Sequence, residues 1–153
     1  MRIAIAESDP ASADLLVFAA QRRSHQTVCV MNVARLFERL PFEPAAAVVS
    51  MGDLDDAAIE EIARLKRRFP ALGLFVITEQ RSTQRPIAAL RAGAQDVITS
   101  PYNPFEVIVR AEAWVAARGQ AAITQNGVRV SDLEVDLDAY VATKNGQPRA
   151  VTR

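Results

Sequence analysis

A chain of 153 residues, half of them hydrophobic, is long enough to bury one domain-sized core, which excludes wholesale disorder. Its 18 basic and 18 acidic residues cancel, so no overall charge draws the whole chain to nucleic acid or to a basic partner. No apolar run approaches the roughly 20 residues of a membrane span, so we expect a soluble, cytoplasmic protein with no membrane partner.

The first apolar run, "RIAIA" at 2–6, has strand length, and its core "IAIA" meets Glu7 too soon to serve as a secretory leader. Residues 11–23 show helical spacing, with Leu15, Phe18 and Ala19 on one stripe and Asp9-Pro10 in front as a cap and first-turn proline. His25, the single histidine, follows this helix and is expected at the surface. "TVCVM" (27–31) reads as a second strand that buries Cys29. One cysteine allows no internal disulfide and suits a reducing compartment.

Residues 33–40 predict a short helix with Ala34, Leu36 and Leu40 inward. "AAAVVS" (45–50) is a third strand, an unbroken apolar run ending on Ser50. Residues 56–69 form a helix with Ile59, Ile62 and Ala63 inward. Acids lead it, Lys66-Arg67-Arg68 close it as the helix dipole favours, and Pro70 stops it. Asp53, Asp55 and Asp56 are expected to cap its start. "LGLFVIT" (72–78) is a fourth strand, 83–92 a helix closed by Gly93, and "DVIT" (96–99) a fifth strand. Asn103-Pro104 opens a last helix, 104–117, with Phe105, Ile108 and Val109 inward.

Five β-α repeats predict an α/β fold with a parallel five-stranded sheet and helices on both faces. Sites in such folds lie at the carboxyl ends of the strands. Those ends carry Glu7-Ser8-Asp9, Ser50, Thr78 and Thr99-Ser100. Beyond Arg118 the pattern changes. Leu133, Val135 and Leu137 alternate with Glu134, Asp136 and Asp138, and Asn145-Gly146 is a two-residue hairpin signal, so three or four short antiparallel strands are expected. No G-x-G-x-x-G or P-loop pattern occurs among the six glycines, and no histidine, cysteine or metal cluster sits at the strand ends, so an enzyme is not expected.

The strand-end residues resemble a bacterial two-component response regulator of the OmpR/PhoB type. "MRIAIAESDP" is similar to that family's first strand and its acidic pair, "AAAVVS" to the strand ending on the phosphorylated aspartate, and "LFVITEQ" to the fourth strand with its Thr or Ser, here Thr78. "RAGAQDVITSPYNPFEV" is similar to the glycine-alanine-acid stretch and the lysine-proline-aromatic turn. The tail resembles the antiparallel sheet that opens the family's winged-helix DNA-binding domain. The resemblance implies a flavodoxin/CheY-like (βα)5 receiver of strand order 2-1-3-4-5 over 1–118 and a linker over 119–126. A partial winged-helix domain over 127–153 would follow, its recognition helix not reached by Arg153.

The departures fall on the chemistry. Ser50 stands in the place of the phosphoacceptor aspartate, Ser100 in that of the lysine, and Ser8 in that of the magnesium-ligating second acid. Glu7, Thr78 and Pro101 match, and Val97 replaces the aromatic switch residue of many relatives. A serine hydroxyl without an adjacent base is a weak nucleophile, and a lone Glu7 among hydroxyls is a poor Mg²⁺ site. We therefore expect no catalytic residue, metal or cofactor. Glu7, Ser8, Ser50, Thr78, Ser100 and Pro101 should form a degenerate phosphoacceptor pocket, nearly neutral, hydrogen-bonded and closed. Asp53 is the alternative acid.

The resemblance also implies a dimer face on the fourth helix, fifth strand and fifth helix. Asp96, Glu106 and Arg110 match that face; its basic residue on the fourth helix falls on Ala88, with Arg85 and Arg91 a turn away on either side. Such charges suit either a solvated surface or a symmetric homodimer with an apolar centre, to which Trp114 is a candidate contributor. The reading that follows is an atypical, phosphorylation-independent receiver of a transcriptional regulator. It would touch DNA only through a further C-terminal part and would have no classical cognate kinase. The alternative is a stand-alone adaptor without DNA output.

Overall fold

In the computed structural model the described residues are 1–39, 44–79, 81–82, 84–121, 127–130, 133–136, 141–144 and 147–149. The strands β1 (Arg2–Ala6), β2 (Gln26–Val30), β3 (Ala46–Ser50), β4 (Gly73–Thr78) and β5 (Asp96–Thr99) form one parallel sheet of order β2-β1-β3-β4-β5. Between and after them run α1 (Pro10–Arg22), α2 (Val33–Arg39), α3 (Asp56–Arg68), α4 (Gln84–Ala92) and α5 (Pro104–Ala121). The expected architecture and strand order hold, with element ends shifted by a residue or so apart from the longer α5. That helix runs on through the first residues expected as linker.

The central strands are apolar on both faces because both are covered. Ala4, Ala6, Ala47, Val49, Leu74 and Val76 point to one side and join Val33, Leu36, Ile62, Leu65 and Ala89 of α2, α3 and α4 in one core cluster. Their alternates, Ile3, Ile5, Val48, Phe75 and Ile77, are equally buried and point to the opposite face. Leu16, Ala19 and Ala20 of α1 and Val107, Ile108 and Ala111 of α5 are the buried residues of the two remaining helices.

Caps fix where the helices begin. Asp9 accepts from the Ser12 N–H at 2.8 Å and Pro10 occupies the first turn of α1; Asp55 accepts from the Ala58 N–H at 2.8 Å at α3. Asn32 and Asn103 do the same for Arg35 and Phe105, at 2.9 and 3.0 Å. Gly93, at φ +116°, ends α4 as expected.

Several inward assignments need correction. On α1 the buried stripe is Leu16, Ala19 and Ala20, and Leu15 and Phe18 face outward. On α5, Phe105 and Val109 face outward while Val107, Ile108 and Ala111 are buried. Apolar residues run consecutively in both helices, Leu15 to Ala20 and Val107 to Val109, so periodicity alone does not set their phase. On α2, Val33 and Leu36 are buried and Ala34 is exposed; Leu40 lies outside the described residues. On α3, Ile62 and Leu65 are buried, with Ile59 and Ala63 half-buried. Cys29 is exposed on the edge strand β2 and not in the core.

The chain divides into two units, Met1–Ala113 and Trp114–Arg153. In the second, β6 (Gly127–Val130), β7 (Leu133–Asp136), β8 (Val141–Lys144) and β9 (Gln147–Arg149) form an antiparallel sheet in sequential order. Lys144 pairs with Gln147, bracketing Asn145-Gly146; the expected turn itself lies outside the described residues.

Candidate functional site

β1, β3 and β4 bring their carboxyl ends together. Glu7 follows β1 and is only 7% exposed. Its N–H donates to the Val30 carbonyl at 3.0 Å, and its Oε1 accepts from the Asp9 N–H at 2.9 Å, which turns the carboxylate toward the start of α1. Ser50 ends β3 half-buried, in register with Ile77, and the next N–H, of Met51, donates to the Ile77 carbonyl at 3.0 Å. The chain then turns at Gly52, whose φ of +57° disfavours a residue with a side chain. The Gly52 carbonyl accepts both the Glu79 N–H at 3.0 Å and the hydroxyl of the fully buried Thr78.

Glu7, Ser8 and Ser50 line one open cleft of about 1020 Å³, together with Met31, Asn32 and the loop that leads into α3. Thr78 lies beneath it, and neither it nor Ser100 or Pro101 lines the cleft. The Ser100 N–H donates to the Thr78 carbonyl at 2.8 Å, and Ser100-Pro101 is a cis peptide.

The closed, nearly neutral pocket expected from the hydroxyls is not what forms. The cleft is open and acidic: Glu7, Asp9, Asp53, Asp55, Glu60, Glu61 and Glu79 line it, against one guanidinium, Arg64, whose Nη2 lies 3.6 Å from Glu61. The loop residues and the exposed side of α3 supply most of this charge, which strand-end reasoning alone does not count. Of the three aspartates at the start of α3, Asp55 is the cap, Asp56 pairs with Arg85 of α4, and Asp53 and Asp55 line the cleft.

Tyr102 is the residue that strand-end reasoning missed. Half-buried after Pro101, its phenol is pushed up by burial first and then by the Glu7 carboxylate, though it does not line the cleft. The proline-aromatic turn carried the signal for it. His25, expected at the surface, is mostly buried and paired: its Nε2 lies 2.6 Å from Glu112 Oε1, away from the cleft. Arg23 donates to both Glu112 oxygens at 2.6 Å, and this bond, more than the His25 contact, holds the Glu112 carboxyl below its ordinary range.

The residues do not fit a magnesium ion. Ser8 and Ser50 present hydroxyls where hard anionic ligands are needed, Glu7 is engaged by a backbone N–H, and among the described residues no group of three or more His, Cys, Asp or Glu converges. Without a cation the carboxylates repel a phosphate.

Of the residues expected at a dimer face, Asp96, Glu106 and Arg110 meet on β5 and α5, whereas Arg85 of α4 is paired with Asp56 of α3. Arg110 pairs within the chain, with Asp96 Oδ2 at 2.8 Å and Glu106 Oε1 at 2.7 Å; those two carboxylates, Glu106 first, raise its pKa. Ile87 and Leu90, between Arg85 and Arg91, are half-exposed. Trp114 is half-buried, with the Arg118 guanidinium 4.8 Å from its ring centre.

No protein-family model matches the chain. Curated proteins do: it is 26% identical over 110 residues to the probable transcriptional regulatory protein TcrX of Mycobacterium tuberculosis, covering 71% of this chain and 47% of that protein. It is 29% identical over 94 residues to the transcriptional regulatory protein PhoP of Escherichia coli O157:H7, covering 61% and 41%. Its homologues are OmpR/PhoB-type response regulators.

The chain spans about two fifths to half the length of these regulators. Solved receivers share the fold. HP1043, an orphan response regulator of H. pylori, superposes with TM-score 0.67 at 17% identity, over 75% of this chain and 96% of that one. The Thermotoga maritima response regulator DrrB, an OmpR/PhoB homologue, superposes with TM-score 0.65 at 16% identity, over 99% of this chain and 66% of its own. An atypical orphan response regulator described as having a phosphorylation-independent mechanism has TM-score 0.67 at 17% identity, over 76% and 96%. These likenesses show the receiver fold.

Proposed function

We propose that this chain is the receiver of a cytoplasmic transcriptional response regulator whose state is set without phosphoryl transfer. It pairs with itself through α4, β5 and α5 and governs DNA binding by a further C-terminal part. The observation that carries the reading is Ser50 at the end of β3, where a nucleophilic carboxylate is needed, with Ser8 and Ser100 replacing two further members of the same pocket. The acidic cleft supports it, since seven carboxylates against the single guanidinium of Arg64 among its described lining residues make it unfavourable for an incoming phosphate. A similar fold in a regulator described as phosphorylation-independent is consistent with it.

The half-exposed Ile87 and Leu90 supply the apolar centre that a dimer on this face requires, because exposed charge pairs such as Asp96–Arg110 contribute little alone. Asp96 and Arg110 are paired within the chain, so dimerisation exchanges that pair for the same pair between copies. The antiparallel β6–β9 sheet suits the entrance to a winged-helix domain. Intact-mass spectrometry after incubation with acetyl phosphate and Mg²⁺ tests the pocket: no phosphoryl adduct is expected, and an adduct mapping to Ser50 or Asp53 would refute the proposal.

A further inference from the structure

The outward turn of Phe18 and Phe105 leaves a second apolar surface, where α1 meets α5. Phe18 is 53% exposed and Leu15, one turn before it, 55%. The Phe18 and Phe105 rings meet edge-on at 6.2 Å, and Val109, one turn beyond Phe105, extends the patch along α5. Beside the patch, Glu112 of α5 is bound by Arg23 and His25 just past α1, which ties the two helices together.

The charges around it are arranged symmetrically. Asp14, Phe18 and Arg22 stand four residues apart, in one row on the exposed face of α1. All three are exposed, and neither Asp14 nor Arg22 makes an ion pair among the described residues. Such a row is its own complement. If two copies cross with Phe18 at the two-fold axis and α1 antiparallel, Asp14 of each copy faces Arg22 of the other. Ridges of this four-residue spacing are the ones that most often interlock between packed helices. In a parallel arrangement, or against an unrelated apolar helix, the spacing gives no such match.

We infer that the α1–α5 face is a second self-association surface, an isologous α1–α1 contact centred on Phe18 and distinct from the proposed α4–β5–α5 dimer. A chain with two isologous faces assembles beyond a dimer, into closed tetramers or open chains according to how the two axes meet.

The experiment isolates this face from the other. In the Asp96→Arg background, which removes the α4–β5–α5 pair, sedimentation velocity at high micromolar concentration should still show dimers. In that background Asp14→Arg alone and Arg22→Asp alone should each weaken association by about tenfold, since each reversal turns two attractive pairs repulsive. The double reversal should restore it. Phe18→Cys with Cys29→Ser should cross-link chain to chain under diamide. Asp96→Arg chains that are purely monomeric, single reversals without effect, or a double reversal no better than the singles would overturn the proposal. The first of these results, with wild-type dimers intact, would leave the α4–β5–α5 reading standing.

Discussion

At the residue scale the pocket turns on what Ser50 lacks. A carboxylate there would need a second acid and a metal beside it, and a cation to meet the phosphate. On the proposed reading, Ser8 and Ser100 stand where those groups would be. We therefore expect Ser50→Asp to remain unphosphorylated by acetyl phosphate in intact-mass measurements; an adduct on the new aspartate would contradict this view of the pocket. Thr78 has a structural role, tying β4 to the loop after β3 through the Gly52 carbonyl. Thr78→Val keeps the shape and removes one hydrogen bond, so chemical denaturation should report a loss of about 1 kcal/mol.

Glu112 gives a pH signature. Its carboxyl is lowered in the folded chain, chiefly by Arg23, so its stabilisation is present above the ordinary glutamate range and is lost as pH falls through the folded value. Glu112→Gln should lower the melting temperature by roughly 2–5 °C near neutral pH, and the gap from wild type should close as the solution is acidified. A gap that persists unchanged in acid would mean that the pair contributes packing and not charge.

At the element scale, the strand and helix order was legible because the signals were local. Unbroken apolar runs of strand length, capping aspartates and asparagines, and Pro10 and Pro104 each announce an element without reference to the rest of the chain. Helix phase was not legible where apolar residues run consecutively. "LLVFAA" offers two equally good stripes on α1, and only the close approach of Ala19 and Ala20 to the sheet decides between them. The acidity of the cleft was hidden for a related reason. Glu60, Glu61 and Glu79 come from the flank of α3 and the end of β4, and become neighbours only through the fold.

Gly93 illustrates a signal that was read correctly. A Cβ there would lie 2.7 Å from Lys66 Cγ, on a backbone at φ +116°. Gly93→Ala should cost about 1–3 kcal/mol by denaturant titration, from strain together with the displaced Lys66 stem.

At the scale of the whole molecule, the fold keeps its topology while its chemistry is replaced. A doubly covered parallel sheet places whatever its strand ends carry at one edge, so the scaffold persists independently of the residues there. If the state is set without phosphoryl transfer, as proposed, what remains for the receiver to do is to present surfaces: Ile87 and Leu90 of α4 with Asp96 and Arg110, and Phe18 with Phe105. Relatives that switch by phosphorylation would gain their paired state only when charged with phosphate; this chain is expected to hold one association state throughout. The direct test is the molar mass by light scattering with and without Mg²⁺ and beryllofluoride. Our reading predicts the same self-associated mass in both conditions. A chain that is monomeric alone and dimerises only with the phosphate mimic would contradict it.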